Sequence, residues 1–422
     1  MKRLILVMSI GVFLWCPLLR AEEIPLTLDE AVALSLRENR EVQLKAEEVK
    51  KAKLKIAQAQ ASLFPSLTFT GGWQYTRGYA NKDAGQTTTQ TGLRQTLYQG
   101  GKIINTVKYT EYGLEAAQAV LDKTKLETAF KVKKAFYALL LTQEFTRVNQ
   151  GILTNAQAHL DSLKARYASG QASESDMLKV ESALSSVKQV YDASLNQVEA
   201  SHALLHNLLF LGKDVTVRPA GEFACSPQEV AYDEAFLKAM QSRPEIKQAE
   251  AQGKAAARAV EIARAEGRPT ISASWDYYTR SHLAGLSGAP RNWNDYSALG
   301  LTFSWPVFDG WATKAKVEQA LVDLKQAQLT KDKVGRDIAL ELKDSYLALK
   351  DAIGKMKATG AERAEYRDSL SVAQQKQRQG NVSSLDVDDA ELKYAISEFN
   401  YKQTVYDYIV AKAGFDKATG GI

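Results

Sequence analysis

The segment SLTFTGGWQYTRG, residues 66–78, alternates between apolar and polar side chains over most of its length. In a β-strand, side chains two residues apart lie on the same face. The apolar positions are Leu67, Phe69, Trp73 and Tyr75, and the polar positions are Thr68, Thr70, Gln74 and Thr76. The segment therefore predicts a strand with one apolar face and one polar face.

Helix-forming sequence lies on both sides of this strand. Residues 27–64 are rich in Ala, Leu, Lys, Glu and Gln, and Pro65 ends that helix because proline has no N–H to donate. A polar loop and a second, weaker strand at residues 89–99 follow. Residues 102–168 contain no proline, so they predict a helix of about 100 Å at 1.5 Å per residue. After a glycine, a returning helix is predicted at residues 174–211.

The same order of elements occurs twice. DEAVALSLRENREVQLK begins at Asp29 and DEAFLKAMQSRPEIKQA at Asp233, and the offset stays constant up to the prolines that end the two helices. Farther on, LYQGGK from Leu97 corresponds to VFDGWA from Val307. We therefore predict a first repeat at 22–211, a linker at 212–232 and a second repeat at 233–422, with second-repeat strands at 270–280 and 295–308 and helices at 312–379 and 384–417. Each repeat is a helix, a β-hairpin, a very long helix and a shorter returning helix.

The N-terminal sequence predicts a signal peptide at residues 1–21. Two basic residues precede an apolar run from Leu4 to Trp15, and LRA ends at Ala21 as a plausible cleavage site. An uncleaved anchor is the alternative, although the run is short for a membrane span. Lipidation at Cys16 is not favoured, because bulky aromatic residues precede it. No later segment approaches about eighteen uncharged apolar residues, so membrane-spanning helices are not expected.

Composition limits the classes of function. The chain has 422 residues, of which 45% are hydrophobic and 24% charged, which argues against wholesale disorder. The net charge is +5, and part of it lies in the predicted signal peptide, so no basic face for nucleic acid is indicated. Cleavage after residue 21 would leave Cys225 as the only cysteine, which excludes an internal disulfide.

Two environments suit four alternating strands. In a water-soluble sandwich the apolar face would be the core, whereas in an outer-membrane barrel it would face lipid. A barrel needs about eight strands or more, so at least two chains would have to contribute. Strand periodicity leaves these alternatives open; the signal peptide and the lack of disulfides favour the barrel.

Several motifs together resemble the TolC-like outer-membrane efflux protein family. They are LTLDEAVALSLRENREV at residues 26–42, FPSL at 64–67, VFDGW at 307–311 and SSLDVDDAEL at 383–392. The resemblance implies a mainly α fold with a small membrane β part. It implies a homotrimer in which twelve strands form a barrel, continued by a coiled-coil helical tunnel in the periplasm.

The resemblance also implies a function. Such a protein is a passive exit duct for efflux or type I secretion in the outer membrane of a Gram-negative cell, without enzymatic activity or a cofactor. Its partners would be outer-membrane lipid, a periplasmic membrane-fusion adaptor and an inner-membrane transporter of the RND, ABC or MFS type. A periplasmic coiled-coil scaffold or adaptor without a pore is the alternative. A third class, a hydrolase or binding enzyme, lacks any supporting constellation of residues.

Asp386 and Asp389 are the candidate site residues. They are three residues apart and so lie on one face of the helix that follows the second turn. Either they complement the positive end of that helix, or in a trimer they form a ring of six carboxylates that favours cations. The resemblance supports the ring at a periplasmic entrance. Asp388 lies off that face and is interpreted as a cap or a solvated charge.

The turns themselves supply the other predicted positions. Gly170 and Gly380 occupy places where a tight reversal needs a positive φ. Asp176, in the first copy, is a possible contact at the tip. Family members close the entrance with tyrosine and arginine, but Gln377 and Val382 occupy the matching positions here, so a different closure is expected.

Other chemistry finds little support. The aspartate cluster lacks the ligand spacing and glycine of an EF-hand, so no calcium site is expected. His202 and His206 are four residues apart but have no third ligand, so packed or exposed histidines are favoured over a zinc site. We predict no metal site. Trp305 and Trp311, like Trp73 and Trp275, are either interface anchors or ordinary packing.

Overall fold

A computed structural model describes residues 22–79, 82–211, 215–221, 227–228, 230–284, 292–379, 381–382 and 384–421. The predicted signal peptide and Gly380 lie outside these residues, as does part of the predicted linker. Within the described residues, no helix is both long enough and apolar enough to cross a membrane.

The described residues form eight helices and six strands. In chain order these are β1 Glu22–Leu26, α1 Leu28–Glu38, α2 Arg40–Ala61, β2 Ser66–Tyr79, β3 Lys82–Gln99, α3 Lys102–Ala168, α4 Glu174–Leu209, β4 Val215–Pro219, α5 Tyr232–Ser242, α6 Pro244–Ala265, β5 Thr270–Ala284, β6 Asn292–Ser304, α7 Ala312–Arg378 and α8 Ser384–Ala418. The order of two helices, a β-hairpin, a 67-residue helix and a shorter helix occurs in both halves.

The long helix α3 begins and ends where the sequence predicts, but the helix before it does not run unbroken. Asn39 separates α1 from α2, and its Oδ1 accepts the N–H groups of Glu41 and Val42 at 2.9 and 3.4 Å. A side-chain acceptor at this position satisfies N–H groups that have no partner within the helix, so it starts a new helix. In the second half only Arg243 lies between α5 and α6, and Pro244 is the first residue of α6, where its missing N–H costs no helical hydrogen bond.

Strand bounds differ from the predictions at the start of β3, at the end of β5 and at both ends of β6, which begins at Asn292. β3 begins at Lys82 and β5 continues to Ala284, so both extend farther than their alternation indicates. The prediction that the last strand ends at residue 308 is wrong, because β6 ends at Ser304. Pro306 has no N–H for the strand ladder, and the alternation of residues 305–308 continues outside the sheet.

The chain forms two compact units. The first comprises the described residues of Met1–Ser35, Lys131–Ala224 and Glu362–Tyr406. It contains a parallel pair, β1 and β4, in which Glu22 is opposite Val215. Sequence reasoning missed this pair, since two five-residue strands show no useful periodicity. Its core is formed by buried apolar side chains, among them Val132, Phe136, Leu139, Leu205, Leu209 and Val217.

The second unit contains the four-stranded sheet. It comprises Leu36–Phe130, Cys225–Ala361 and Asp407–Ile422, as far as these are described. The strand order is β2-β3-β5-β6 and every pair is antiparallel, so the hairpins of the two halves meet between β3 and β5.

Candidate functional site

One turn, between α3 and α4, is built around Gly170. Its φ is +75°, in the left-handed region where side chains with a Cβ are strained. The N–H of Gln171 donates to the carbonyl of Arg166 at 2.8 Å, and the N–H of Gly170 donates to that of Tyr167 at 2.9 Å. This pair of bonds is a Schellman motif, which ends the helix by satisfying its last carbonyls.

The turn between α7 and α8 shows a matching bond. The N–H of Asn381 donates to the carbonyl of Lys376 at 2.9 Å, the counterpart of the bond between Gln171 and Arg166. Gln377 is exposed and Val382 is half-buried.

The structure places Asp386 and Asp389 on the exposed side of α8. Val387 between them is buried, whereas Asp386, Asp388 and Asp389 are all exposed. Asp389 Oδ2 lies 2.7 Å from Lys393 Nζ, one helical turn later. The hydrogen bond and charge of Asp389 raise the pKa of Lys393. The side chain of Asp389 thus has an intrahelical counter-ion that sequence reasoning missed, although the i, i+4 spacing was visible.

Asp176 interacts with its own helix. Ser173 Oγ donates to Asp176 Oδ2 at 2.7 Å, and the N–H of Asp176 donates back to Ser173 Oγ at 3.2 Å. Ser173 is thus the N-cap of α4, and the hydrogen bond from its hydroxyl lowers the pKa of Asp176. Lys179 Nζ lies 3.8 Å from the carboxylate. A contact across the tip stays a prediction.

The polar face of the sheet carries a cluster that sequence reasoning missed. Gln90 Nε2 donates to Asp276 Oδ1 at 2.8 Å and to the Tyr278 hydroxyl at 3.2 Å. The ring of Tyr278 stacks on Tyr296 at 4.9 Å. A methyl group at Gly92 would lie 2.7 Å from Asp276 Oδ1, so the carboxylate occupies the space that the glycine leaves open. The sequence did contain a signal for this cluster, because Asp276 is a charged residue on the polar face of an alternating strand.

The apolar face of the sheet is exposed. One row across all four strands consists of Leu67, Leu93, Trp275 and Leu299, and Leu299 is 85% exposed. Among the described strands, β2 and β6 each pair with one neighbour. A sheet with an exposed apolar face and two open edges needs something to cover both, since each is a site for association.

In the described part of the chain, no group of three or more His, Cys, Asp or Glu residues is placed so that it could bind a metal ion. His202 lies on α4, where burial lowers the pKa of its imidazole and the charge of Glu199 opposes that shift. Neither histidine is therefore placed in a ligand cluster.

The chain is similar in sequence to known proteins. A family model described as outer membrane efflux protein matches residues 31–209 and 237–421. Protein CyaE of Bordetella pertussis is 23% identical over 322 residues, which is 73% of this chain but only 65% of CyaE, less than two thirds of its length. Nodulation protein T of Rhizobium leguminosarum bv. trifolii is 21% identical over 93% of this chain and 85% of that protein.

Solved structures share the fold. The outer membrane channel CmeC of Campylobacter jejuni matches with a TM-score of 0.75 and 16% identity, covering 93% of this chain and 85% of CmeC. The open state of the Neisseria gonorrhoeae MtrE outer membrane channel matches with a TM-score of 0.76 and 17% identity, covering 93% and 89%. CusC, from a study of transmembrane channel formation, matches with a TM-score of 0.74 and 17% identity over 94% and 92% of the chains.

Proposed function

The chain belongs to the outer membrane efflux protein family, as its motifs predict, and we propose that it is the passive exit duct of a tripartite export system. The observation that carries the proposal is the exposed apolar face of a four-stranded sheet whose β2 and β6 edges each have one described neighbour. The likeness to outer-membrane channel structures supports it.

The sheet implies an assembly of several copies. Unpaired backbone groups are not tolerated in lipid, so β2 of one copy would pair with β6 of the next. Four strands cannot close, and small barrels begin at about eight strands. Three copies would form a twelve-stranded barrel, which agrees with the homotrimer that the family resemblance implies.

The two faces of the sheet then take different roles. Leu299 and the apolar row across the sheet would contact outer-membrane lipid. The polar face, with Gln90, Asp276 and Tyr278, would line the lumen. A buried carboxylate that is hydrogen-bonded on its own sheet suits a water-filled interior and not a lipid surface.

The helical part would form the periplasmic tunnel. Gly170 and Gly380 would form its turns, and Asp386 and Asp389 would form an acidic ring at the entrance. With three copies the ring would hold six carboxylates, which favours cations over anions. Lys393 would reduce that preference, because it lies 2.7 Å from Asp389.

The work of export would come from partners. A periplasmic membrane-fusion adaptor and an inner-membrane transporter of the RND, ABC or MFS type would load the duct, which catalyses nothing and holds no cofactor. Opening would require the helices at the entrance to separate.

The test is made on the full chain purified in detergent from outer membranes. We expect a heat-modifiable trimer on gels and a cation-selective conductance in planar bilayers. Asp386→Asn together with Asp389→Asn should weaken the selectivity, whereas Asp388→Asn in the same helical turn is the matched control. Folded protein that forms neither trimers nor channels would contradict the duct. Channels indifferent to the double substitution would contradict only the acidic ring.

A further inference from the structure

Arg94 lies on the polar face of the sheet, in a row that crosses all four strands. The backbone register places it opposite Ser66 of β2 and Ser274 of β5, and Gly300 of β6 completes the row. The preceding residue, Leu93, belongs to the exposed apolar row on the other face. Successive side chains of a strand alternate between the two faces. Arg94 therefore lies level with that apolar row, on the side of the sheet that the polar residues occupy.

The guanidinium of Arg94 has no partner in the described part of the chain. The residue is exposed, and its side chain makes no hydrogen bond, ion pair or ring contact with a described residue. Asp276 lies two residues beyond Ser274 on the same face, a diagonal position that a long side chain can reach. Its Oδ1 instead accepts Gln90 Nε2 at 2.8 Å, and the carboxylate fills the space above Gly92. The charge of Arg94 is therefore left without a counter-ion among these residues.

An open cavity of about 820 Å³ adjoins Arg94. Its polar lining includes the hydroxyl groups of Ser66, Ser272, Ser274 and Thr302, and no acidic residue of the described chain lines it. The hydroxyls of Ser272, Ser274 and Thr302 have no hydrogen-bond partner among the described residues. A guanidinium presents a planar fork of N–H donors that matches two oxygens of a carboxylate or phosphate, and hydroxyls can donate to the same oxygens. The cavity therefore has both the donors and the room that an oxyanion needs.

The polar face has a positive charge balance around this cavity. From the row of Ser272 to the row of Arg280, the charged side chains on this face are Arg94, Asp276 and Arg280. Two positive charges and one negative charge leave one positive charge per chain. Walls of low dielectric constant strengthen the field of such charges inside a cleft or pore. This part of the sheet therefore favours anions, whereas the predicted acidic ring at the entrance favours cations.

We propose that Arg94 is an anion-binding residue, which together with the hydroxyls of Ser66 and Ser274 binds the carboxylate or phosphate group of an exported organic anion. Three copies of the chain would place three such sites around the lumen, and rings of arginine make pores selective for anions. The position of the site on an export route rests on the proposed duct. The binding itself depends only on the sheet and its cavity.

The test is a titration of phenyl phosphate with the full-length protein in a detergent that contains no phosphorus. Broadening of the phosphorus-31 resonance measures the bound fraction of phenyl phosphate and does not require a conducting channel. We expect saturable binding by the native chain. Arg94→Gln should weaken this binding by at least about tenfold, because it removes a charge-assisted hydrogen bond. Arg94→Lys keeps the charge but loses the planar fork, so its affinity should be intermediate.

Arg280→Gln is the matched control for Arg94→Gln. Arg280 is also exposed on the polar face, but it lies three rows from Ser274 along β5 and outside the cavity. Its replacement should therefore change the affinity for phenyl phosphate much less. Equal losses of affinity in the two variants would show that the general charge of this face attracts the probe, and would overturn the proposal.

Reversal potentials in planar bilayers separate the anion site from the duct. In a conducting channel, Arg94→Gln should raise the ratio of cation to anion permeability more than Arg280→Gln does. Native protein that conducts but leaves the phosphorus-31 resonance unchanged would overturn the anion site and leave the duct intact. Native protein that binds phenyl phosphate through Arg94 but forms no channel would support the anion site and contradict the duct.

Discussion

Arg243 Nη2 lies 2.6 Å from Glu341 Oε2, and this contact joins the start of α6 to α7. The same guanidinium donates to Glu245 at 3.0 and 3.1 Å and, through Nη1, to the carbonyls of Lys417 and Ala418 at 3.2 and 3.3 Å. Its side chain is only 4% exposed. A positive group against the last carbonyls of α8 also complements the negative end of that helix. Arg243 thus holds three helices of one compact unit together.

Replacing Arg243 with alanine should destabilise the folded chain by about 2–3 kcal/mol. Removing one partner of a fully buried pair costs about 3–5 kcal/mol. We expect less here because the side chain of Glu341 is 39% exposed and water can solvate it. Thermal unfolding of the purified protein in detergent measures the effect.

Arg37→Ala is the matched control for Arg243→Ala. Arg37 also lies close to a carboxylate, that of Glu38 at 2.8 Å, but its side chain is 74% exposed. Surface pairs contribute about 0–1 kcal/mol. Equal losses of stability in Arg243→Ala and Arg37→Ala would show that the burial of Arg243 does not increase its contribution to stability.

Acid should remove part of this stabilisation. Burial opposes the ionisation of Glu341, but the hydrogen bond and charge of Arg243, with the charge of Lys417, outweigh it and lower the pKa below 4.5. A lowered pKa in the folded state stabilises the fold above the unfolded value, and that stabilisation is lost as pH falls through the folded value. The native chain should therefore melt higher than Glu341→Gln at neutral pH, and the two should converge below pH 4.5.

The same titration in an Arg243→Ala background provides the control. Without the guanidinium, the carboxyl of Glu341 has lost the leading cause of its lowered pKa. The difference in melting temperature between Arg243→Ala alone and Arg243→Ala combined with Glu341→Gln should therefore shrink at neutral pH. If the difference in melting temperature persists at neutral pH, a group other than Arg243 stabilises the ionised carboxylate of Glu341.

Two exposed glycines of α3 and its turn should respond to alanine in opposite directions. A Cβ at either Gly170 or Gly151 meets no atom within 4 Å, so neither change causes a clash. Gly170 has φ +75°, and alanine there should cost about 1–2 kcal/mol of local stability. Gly151 lies inside the helix, where alanine should gain about 0.5–1 kcal/mol.

Hydrogen exchange of the amides of residues 162–178 measures the change in local stability in Gly170→Ala. Thermal unfolding measures the change in stability in both variants. Slower exchange around the turn in Gly170→Ala would contradict the positive φ. A loss of stability in Gly151→Ala would indicate that its surface is covered by another chain.

Lys393 should modulate the cation preference of the channel. Because it lies 2.7 Å from Asp389, Lys393→Gln removes a compensating charge and should raise the ratio of cation to anion permeability, whereas Asp389→Asn should lower it. Both effects should weaken at high salt, because the screening length falls from about 10 Å at 0.1 M to about 3 Å at 1 M. Reversal potentials in planar bilayers under a salt gradient measure the ratio.

Lys355→Gln is the control for Lys393. Lys355 pairs with Asp351 at 2.8 Å with the same i, i+4 spacing and similar exposure, but it lies on α7 well before the turn. A shift in selectivity as large as that of Lys393→Gln would show that general surface charge, and not the entrance, sets the preference.

Features encoded by neighbouring residues were predictable. The bounds of α3 follow from a proline-free run between Gly101 and Gly170, both of which have positive φ. The faces of β2 follow from a period of two, and the exposed apolar row agrees with it. The break at Asn39 was missed because its helix-forming neighbours hide a single capping residue, although its side chain is a common N-cap.

The sequence by itself determined the long helices, the four strands of the antiparallel sheet and the alternation of their faces, because periodicity, prolines and positive-φ glycines act within a few residues. Only the tertiary structure decided which distant groups meet: β3 with β5, Glu22 with Val215, and Arg243 with Glu341. Such partners depend on distances between segments far apart in the chain, and no local pattern specifies a distance.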